Sequence, residues 1–360
     1  MPRTWNRLTR WWAFLNPPKQ HREVRPTREA RGRLELEPLD ERVVPSSAPA
    51  PGPASNVVVA DFAGTGIGLV RFSATQGTRQ LTALDPTQFA VARDGSVVAD
   101  FAGLGLYRDT DAQDWQQLTA FVPTHFDLSA GGAVLADFAG LGLFRETDAQ
   151  GWQQLTPLDP NQFAATADGG VVADFAGPGL FRSDARGVRQ LTPLVPAQFA
   201  VAPDDGVVAV FPGSRVGLFR YSDARGWEQL ITLDTTQFAV AADGSVVADF
   251  SVLGLYRFTD AQGWQQLSPV PARRVAVTPG GAVVAEITGR GLFLFPQGQG
   301  PQRLTPFEAG PLAVTPDGLV VAGVAGRGLF FYPDAQTQLQ LTALEPTQIV
   351  APDPSGFVAR

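Results

Sequence analysis

The chain has 360 residues, 28 lysines and arginines against 35 aspartates and glutamates, a formal net charge of −7 and no cysteine. Lack of cysteine excludes disulfides, thiolate metal sites and cysteine nucleophiles, although it leaves the compartment open, and no apolar run approaches the ~18 residues of a membrane-spanning helix. Residues 1–45 hold ten basic and six acidic side chains (+4) and residues 46–360 hold 18 and 29 (−11), so the acidic body is not expected to bind nucleic acid.

At the N-terminus, Trp5, Leu8, Trp12 and Leu15 recur at helical spacing beside Arg3, Arg7 and Arg10. That pattern suits weak contact with an anionic membrane surface, with an unstructured basic arm over 1–45 as the alternative. The longest apolar stretch here, Trp11 to Leu15, is too short for the core of an ordinary signal peptide. Residues 31–46, RGRLELEPLDERVVPS, place Asp40-Glu41-Arg42 after a Leu-Glu run. The segment resembles the LEPR-xLL type of N-terminal sorting segment found on exported bacterial proteins. This resemblance implies export or a place in the cell envelope, with the cytoplasm as the alternative. Residues 46–55 have the Pro/Ala/Ser composition of an extended linker.

From residue 56 onward one unit of about 37 residues returns eight times. Its aligned positions are Asp61, Asp100, Asp137, Asp174, Val210, Asp249, Glu286 and Gly323, at spacings of 39, 37, 37, 36, 39, 37 and 37. Each unit is rich in Val, Phe, Leu and Thr and is interrupted every six to ten residues by Gly, Pro or Asp-Gly. No stretch between breakers sustains a helical period. QFAVA (88–92), the Asp94-Gly95 turn, SVVADF, a Gly-bearing turn, LYRDT, a polar turn and WQQLTA read as four short antiparallel strands. Such sheets are poorly stable alone, and packing one against the next buries both faces. The predicted fold is therefore an all-β propeller over 56–360 with eight four-stranded blades, or seven as the alternative. The first unit lacks a QFAVA-type strand, and residues 347–352 supply one, so the C-terminal strand is expected to complete the first blade and close the ring.

Thr147, Asp148, Gly151 and Trp152 in GLFRETDAQGWQQLT (142–156), repeated approximately at 222–227 and 259–264, resemble the Asp-box (BNR) repeat. VVADFAGLGLYR is similar to the FG-GAP type, whose loops hold calcium through several aspartates. Here those loops are reduced to Asp-Gly or Gly-Gly (94–95, 168–169, 243–244, 280–281), too few oxygen ligands for calcium, so no metal or other cofactor is expected.

An Asp series and an Arg series run in parallel. Asp100 with Arg108, Asp137 with Arg145, Asp174 with Arg182 and Asp249 with Arg257 are expected to be structural, the Asp side chains at turns and the Arg side chains in ion pairs. Gln88, Gln162, Gln198, Gln237 and Gln348, with His125 at the corresponding place in one unit, open the strand read as innermost. They either ring a channel mouth as ligand-binding groups or satisfy loop backbone. Trp115, Trp152, Trp227 and Trp264 begin the outer strand and either stack on sugar rings or fill space between blades. No catalytic constellation stands out. The leading expectation is a non-catalytic binding or scaffolding propeller for a glycan or protein ligand. The alternative is a propeller glycosidase or polysaccharide lyase, its site built from residues that break the repeat: His125, Glu146, Tyr221, Glu228, Arg273, Arg274, Glu286, Arg290, Glu308 and Arg327.

Overall fold

The computed structural model describes residues 56–73, 76–213 and 217–352. The basic arm, the sorting-type segment and the Pro/Ala/Ser linker lie outside the described residues. Every regular element described is a β-strand, and the strands form eight four-stranded antiparallel sheets. Blade 2 shows the plan, running from the inner strand Gln88–Val91 through Val97–Phe101 and Gly105–Asp109 to the outer strand Gln116–Thr119. The inner strands of blades 3 to 8 are His125–Leu128, Gln162–Ala165, Gln198–Val201, Gln237–Val240, Ala272–Val277 and Ala309–Val314. Each inner strand touches that of the next blade around the circle.

Blade 1 is closed as the sequence predicts. Gln348–Val350 is its inner strand, pairing with Val57–Phe62 in the register Val59↔Val350, Ala60↔Ile349, Asp61↔Gln348. The Thr347 amide donates to the Asp61 carbonyl at 2.8 Å, extending that ladder. Blade 1 is packed on both sides. Val57, Val59 and Val350 bury against Phe89 and Val91 of blade 2, while Val58, Phe72 and Ile349 bury against Ala313, Val321 and Leu329 of blade 8.

The second strand of every blade is buried along its whole length, which explains why VVADF-type segments do not alternate apolar with polar. Both faces meet a neighbouring blade, so both must be apolar. In one such layer Val98 and Leu106 of blade 2 pack on Phe126, Val134, Ala136 and Phe138 of blade 3. At ~25 cal/mol per Å² of buried apolar surface, these interblade layers are the main stabilising contribution. The outer strand is held by a tight turn ahead of the third. Gly105 has φ +90°, and a Cβ there would lie 2.2 Å from the Thr119 carbonyl oxygen of the outer strand. Only glycine permits that approach.

Candidate functional site

Antiparallel order sorts the loops between two ends of the ring. The turn between second and third strands and the loop from outer strand to next blade share one end, called upper here. The other two turns share the lower end.

The Asp series belongs to the upper end. The carboxylates of Asp100 and Asp137 accept from the hydroxyls of Thr87 and Thr124 just ahead of the inner strand. Asp249 accepts from Thr236 at 2.7 Å, Asp61 from Thr347 at 3.0 Å, and Asp174 from the Asn161 amide at 3.0 Å. The other oxygen of Asp61, Asp100, Asp137 and Asp174 is buried and has no hydrogen-bond partner among the described residues. Burial accordingly raises Asp61, Asp137 and Asp174 above the ordinary carboxylate range. In Asp249 the corresponding oxygen accepts the Ala272 amide of the next blade at 2.8 Å.

The Arg series points to the lower end. Arg108, Arg145, Arg182 and Arg257 each donate to a carbonyl in the next blade's first turn: Gly132, Gly169, Asp205 and Gly281, at 3.0, 3.2, 2.8 and 2.8 Å. Carboxylates of that end complete the pairing. Arg108 meets Glu146 at 3.1 Å and Asp148 at 2.7 Å, Arg182 meets Asp168 at 2.9 Å, and Arg257 meets Asp243 at 2.8 Å. Among the described residues no ion pair joins an Asp of the first series to an Arg of the second. The lower end is thus a belt in which arginine–carbonyl bonds link each blade to the next and ion pairs form within and between blades, with its own carboxylates missed as partners in the sequence.

Three glutamines cross between blades. Gln88 Nε2 donates to the Phe126 carbonyl at 2.7 Å, Gln162 to Ala197 at 2.9 Å and Gln237 to Ala272 at 2.7 Å. Gln198 and Gln348 open their inner strands at the same place. The Trp indoles are half-buried on the blade flanks. Trp115, Trp152, Trp227 and Trp264 donate Nε1 to the carbonyls of Leu81, Leu118, Leu191 and Leu230 in the preceding blade, at 2.9 to 3.0 Å. All four meet a phenylalanine of their own blade edge-on, Phe101, Phe138, Phe211 and Phe250 in turn, at 5.3 to 5.4 Å.

The residues that break the repeat divide between the ends. Glu146, Tyr221 and Glu228 belong to the lower end, where Glu228 reaches Arg220 at 3.4 Å. Arg273, Arg274, Glu286 and Glu308 meet at the upper end of blade 7: Arg273 lies 3.2 Å from Glu308 and Arg274 lies 3.4 Å from Glu286. Arg290 and Arg327 occupy the upper turns of blades 7 and 8, and the Arg327 guanidinium stacks 3.5 Å above the Phe307 ring. His125 opens the inner strand of blade 3 opposite Asp137 and meets Phe163 of blade 4 edge-on at 5.3 Å. Six of these residues thus share the upper ends of blades 7 and 8, while His125 and the three lower-end residues lie apart from them.

The feature that sequence reasoning missed is apolar. Nearly all exposed large hydrophobic side chains lie at the upper end, the exceptions being Val188, Leu339 and Leu341 on outer strands. They come from the turn tips, as Leu104, Leu141, Val252 and Leu253, and from the loops after the outer strands, as Leu84, Phe121, Leu158, Leu194, Leu233, Phe307 and Leu344. Phe121 is 64 % and Val252 87 % exposed. Repeated blade by blade, they form an apolar annulus on one end of a charged ring.

Fold and surface together define an eight-bladed β-propeller with one apolar and one ionic end. No protein-family model matches the chain, and no curated protein matches it. Among solved structures it is similar to apo AztD from Citrobacter koseri, at 14 % identity over 82 % of this chain and 97 % of that one, with a TM-score of 0.56. It is also similar to YCF48 bound to D1 peptide (15 % identity, 61 % and 82 % covered, TM-score 0.45) and to the Dos1 propeller (11 %, 72 % and 85 %, 0.46). At these identities the likeness is one of fold.

Proposed function

We propose that this chain is a non-catalytic binding or scaffolding propeller that docks a protein partner through its upper end. The observation that carries the reading is the apolar annulus. A monomeric surface rarely groups large exposed apolar side chains, and such groupings mark interaction sites. An aliphatic ring flanked by polar groups has the composition of an interface core with its rim. A glycan is favoured less, because sugars stack on open aromatic faces and the four indoles are engaged with the preceding blade. The hydrolase or lyase alternative is favoured less, because the repeat-breaking residues that do meet, Arg273, Arg274, Glu286 and Glu308, pair with one another. Export to the cell envelope belongs to the same proposal and rests on residues 31–46 alone.

The test is capture from the cell envelope by the full chain, followed by binary titration with the recovered partner. A Leu104→Glu/Leu141→Glu/Leu253→Glu variant is expected to weaken that titration at least tenfold. An Asp148→Ala/Arg186→Ala variant at the lower end is expected to bind as the parent does. Equal binding by the upper-end variant, or saturable binding or cleavage of a polysaccharide by the parent, overturns the reading.

A further inference from the structure

The upper end is not uniform around the ring, and the departure is one of charge. The last residue before the third strand is Leu104 in blade 2, Leu141 in blade 3 and Leu253 in blade 6. Blades 7 and 8 carry Arg290 and Arg327 at that place. Arg273 and Arg274 open the inner strand of blade 7 beside them. No other upper turn or loop among the described residues holds a lysine or arginine. The exposed charges of the remaining loops are acidic, at Asp85, Asp159 and Asp234.

Arg290 and Arg327 are exposed and form no ion pair with a described residue. The carboxylates of the same sector are already engaged. Glu286 meets Arg274 at 3.4 Å and Arg273 at 4.0 Å, and Glu308 meets Arg273 at 3.2 Å. Glu345 lies against the turn of Arg327, where it accepts the Gly326 amide. Four arginines against these three glutamates leave the sector one positive charge in excess. The Arg327 guanidinium stands 3.5 Å over the Phe307 ring. Such stacking holds a guanidinium by its face and leaves its in-plane N–H groups for an acceptor, and a carboxylate matches that fork.

We propose that Arg290 and Arg327 receive the carboxylates of an acidic, aliphatic peptide segment of the docked partner, Arg327 through its in-plane fork and Arg290 as a second cation one blade earlier. This rests on reading the annulus as the docking surface. It adds what the annulus lacks, since similar apolar tips repeated around a ring do not fix the rotation of whatever sits on them. A charged sector confined to two blades does fix it, because carboxylates placed over Asp85, Asp159 or Asp234 are repelled. The same acidic residues disfavour a flat anionic surface such as a membrane, which meets the whole end at once, whereas a peptide segment meets blades 7 and 8 alone.

The experiment selects a display library of random dodecapeptides on the immobilised full chain and measures the resynthesised binders by fluorescence anisotropy. They are titrated against the parent, Arg290→Leu/Arg327→Leu and Leu104→Glu/Leu141→Glu/Leu253→Glu. The arginine variant gives these turns the residue of blades 2, 3 and 6, so it keeps the fold and extends the annulus. We expect parent binders rich in both aliphatic and acidic residues, with affinity lower by about tenfold or more on the arginine variant and falling with added salt. Amide analogues of the same peptides should lose a like factor on the parent. Binders weakened by the arginine variant and not by the leucine variant keep this site and strike the annulus. Binders with no excess of carboxylates, or with equal affinity for the arginine variant, overturn the proposal and leave the annulus standing. No recoverable binder overturns both. Binding of the parent to phosphatidylglycerol vesicles, weakened by the same two arginine substitutions, overturns the proposal in favour of a membrane.

Discussion

Arg182 and Arg145 occupy the same place in adjacent blades and have different weight. Arg182 is 3 % exposed and sits among Asp168, the Asp205 carbonyl and the buried carboxylate of Asp184, the last at 3.1 Å. Arg145 is half-buried with a 3.2 Å bond to the Gly169 carbonyl. Removing Arg182 leaves the buried Asp184 carboxylate only Arg189, at 3.6 Å, so Arg182→Ala is expected to cost about 3 kcal/mol in urea unfolding, and Arg145→Ala about 1 kcal/mol or less. Asp137 gives a prediction of opposite sign with pH. Its folded carboxyl is raised above the ordinary value, so its favourable contribution is complete below about pH 4 and is lost as pH climbs through the raised value. Asp137→Asn still accepts from Thr124 and lacks that loss. Its stability relative to the parent should therefore improve between pH 3 and 7, and a flat difference would contradict the assignment. The two series were legible as residues and not as partners. Asp100 faces Leu106 and Arg108 faces Val98 in the register, so an offset of eight in the chain hides a turn. The two side chains start two rungs apart, about 7 Å along the strand, and the arginine then reaches away into the next blade.

Between residues and ring stands the hairpin, and its turns test the geometry directly. Gly103 and Gly105 share one upper turn, at φ +74° and +90°, but a Cβ at Gly103 meets open space whereas one at Gly105 meets the outer-strand backbone. Gly103→Ala should cost about 1 kcal/mol, the ordinary charge for a left-handed alanine. Gly105→Ala should cost several times that, or detach the Gln116–Thr119 strand, which hydrogen exchange would reveal. Trp152→Phe keeps the edge contact with Phe138 at 5.4 Å and removes the bond to the Leu118 carbonyl. A loss of about 1–2 kcal/mol in denaturant unfolding is expected. Strands and turns were readable because breakers fall at regular places. The annulus was not readable. Leu104 and Phe121 lie a residue or two beyond strand ends, and in sequence they look like the buried leucines beside them. Only the direction of the loop separates them.

At the scale of the whole molecule, closure was legible because one blade lacked a strand and the opposite terminus carried a spare. Deleting residues 347–360 removes the strand that buries Ile349 and Val350 against two neighbours and exposes the edge of Val57–Phe62. The truncated chain should lose its single cooperative calorimetric transition and self-associate on gel filtration. An unchanged transition and a monomeric elution volume would show that the closing strand is dispensable.

That closing pair also decides how the ring answers a pull. Val57–Phe62 leaves the N-terminal side, and Gln348–Val350 the C-terminal side, at the lower end, as antiparallel neighbours. Tension between the two chain ends therefore acts across the ladder rather than along it, and loads the Val59↔Val350 rung before Ala60↔Ile349 and Asp61↔Gln348. Rungs that break one at a time resist far less than rungs sheared together. The propeller is a fastening that opens at low force from its ends while its seven other blades, each made from continuous chain, stay folded.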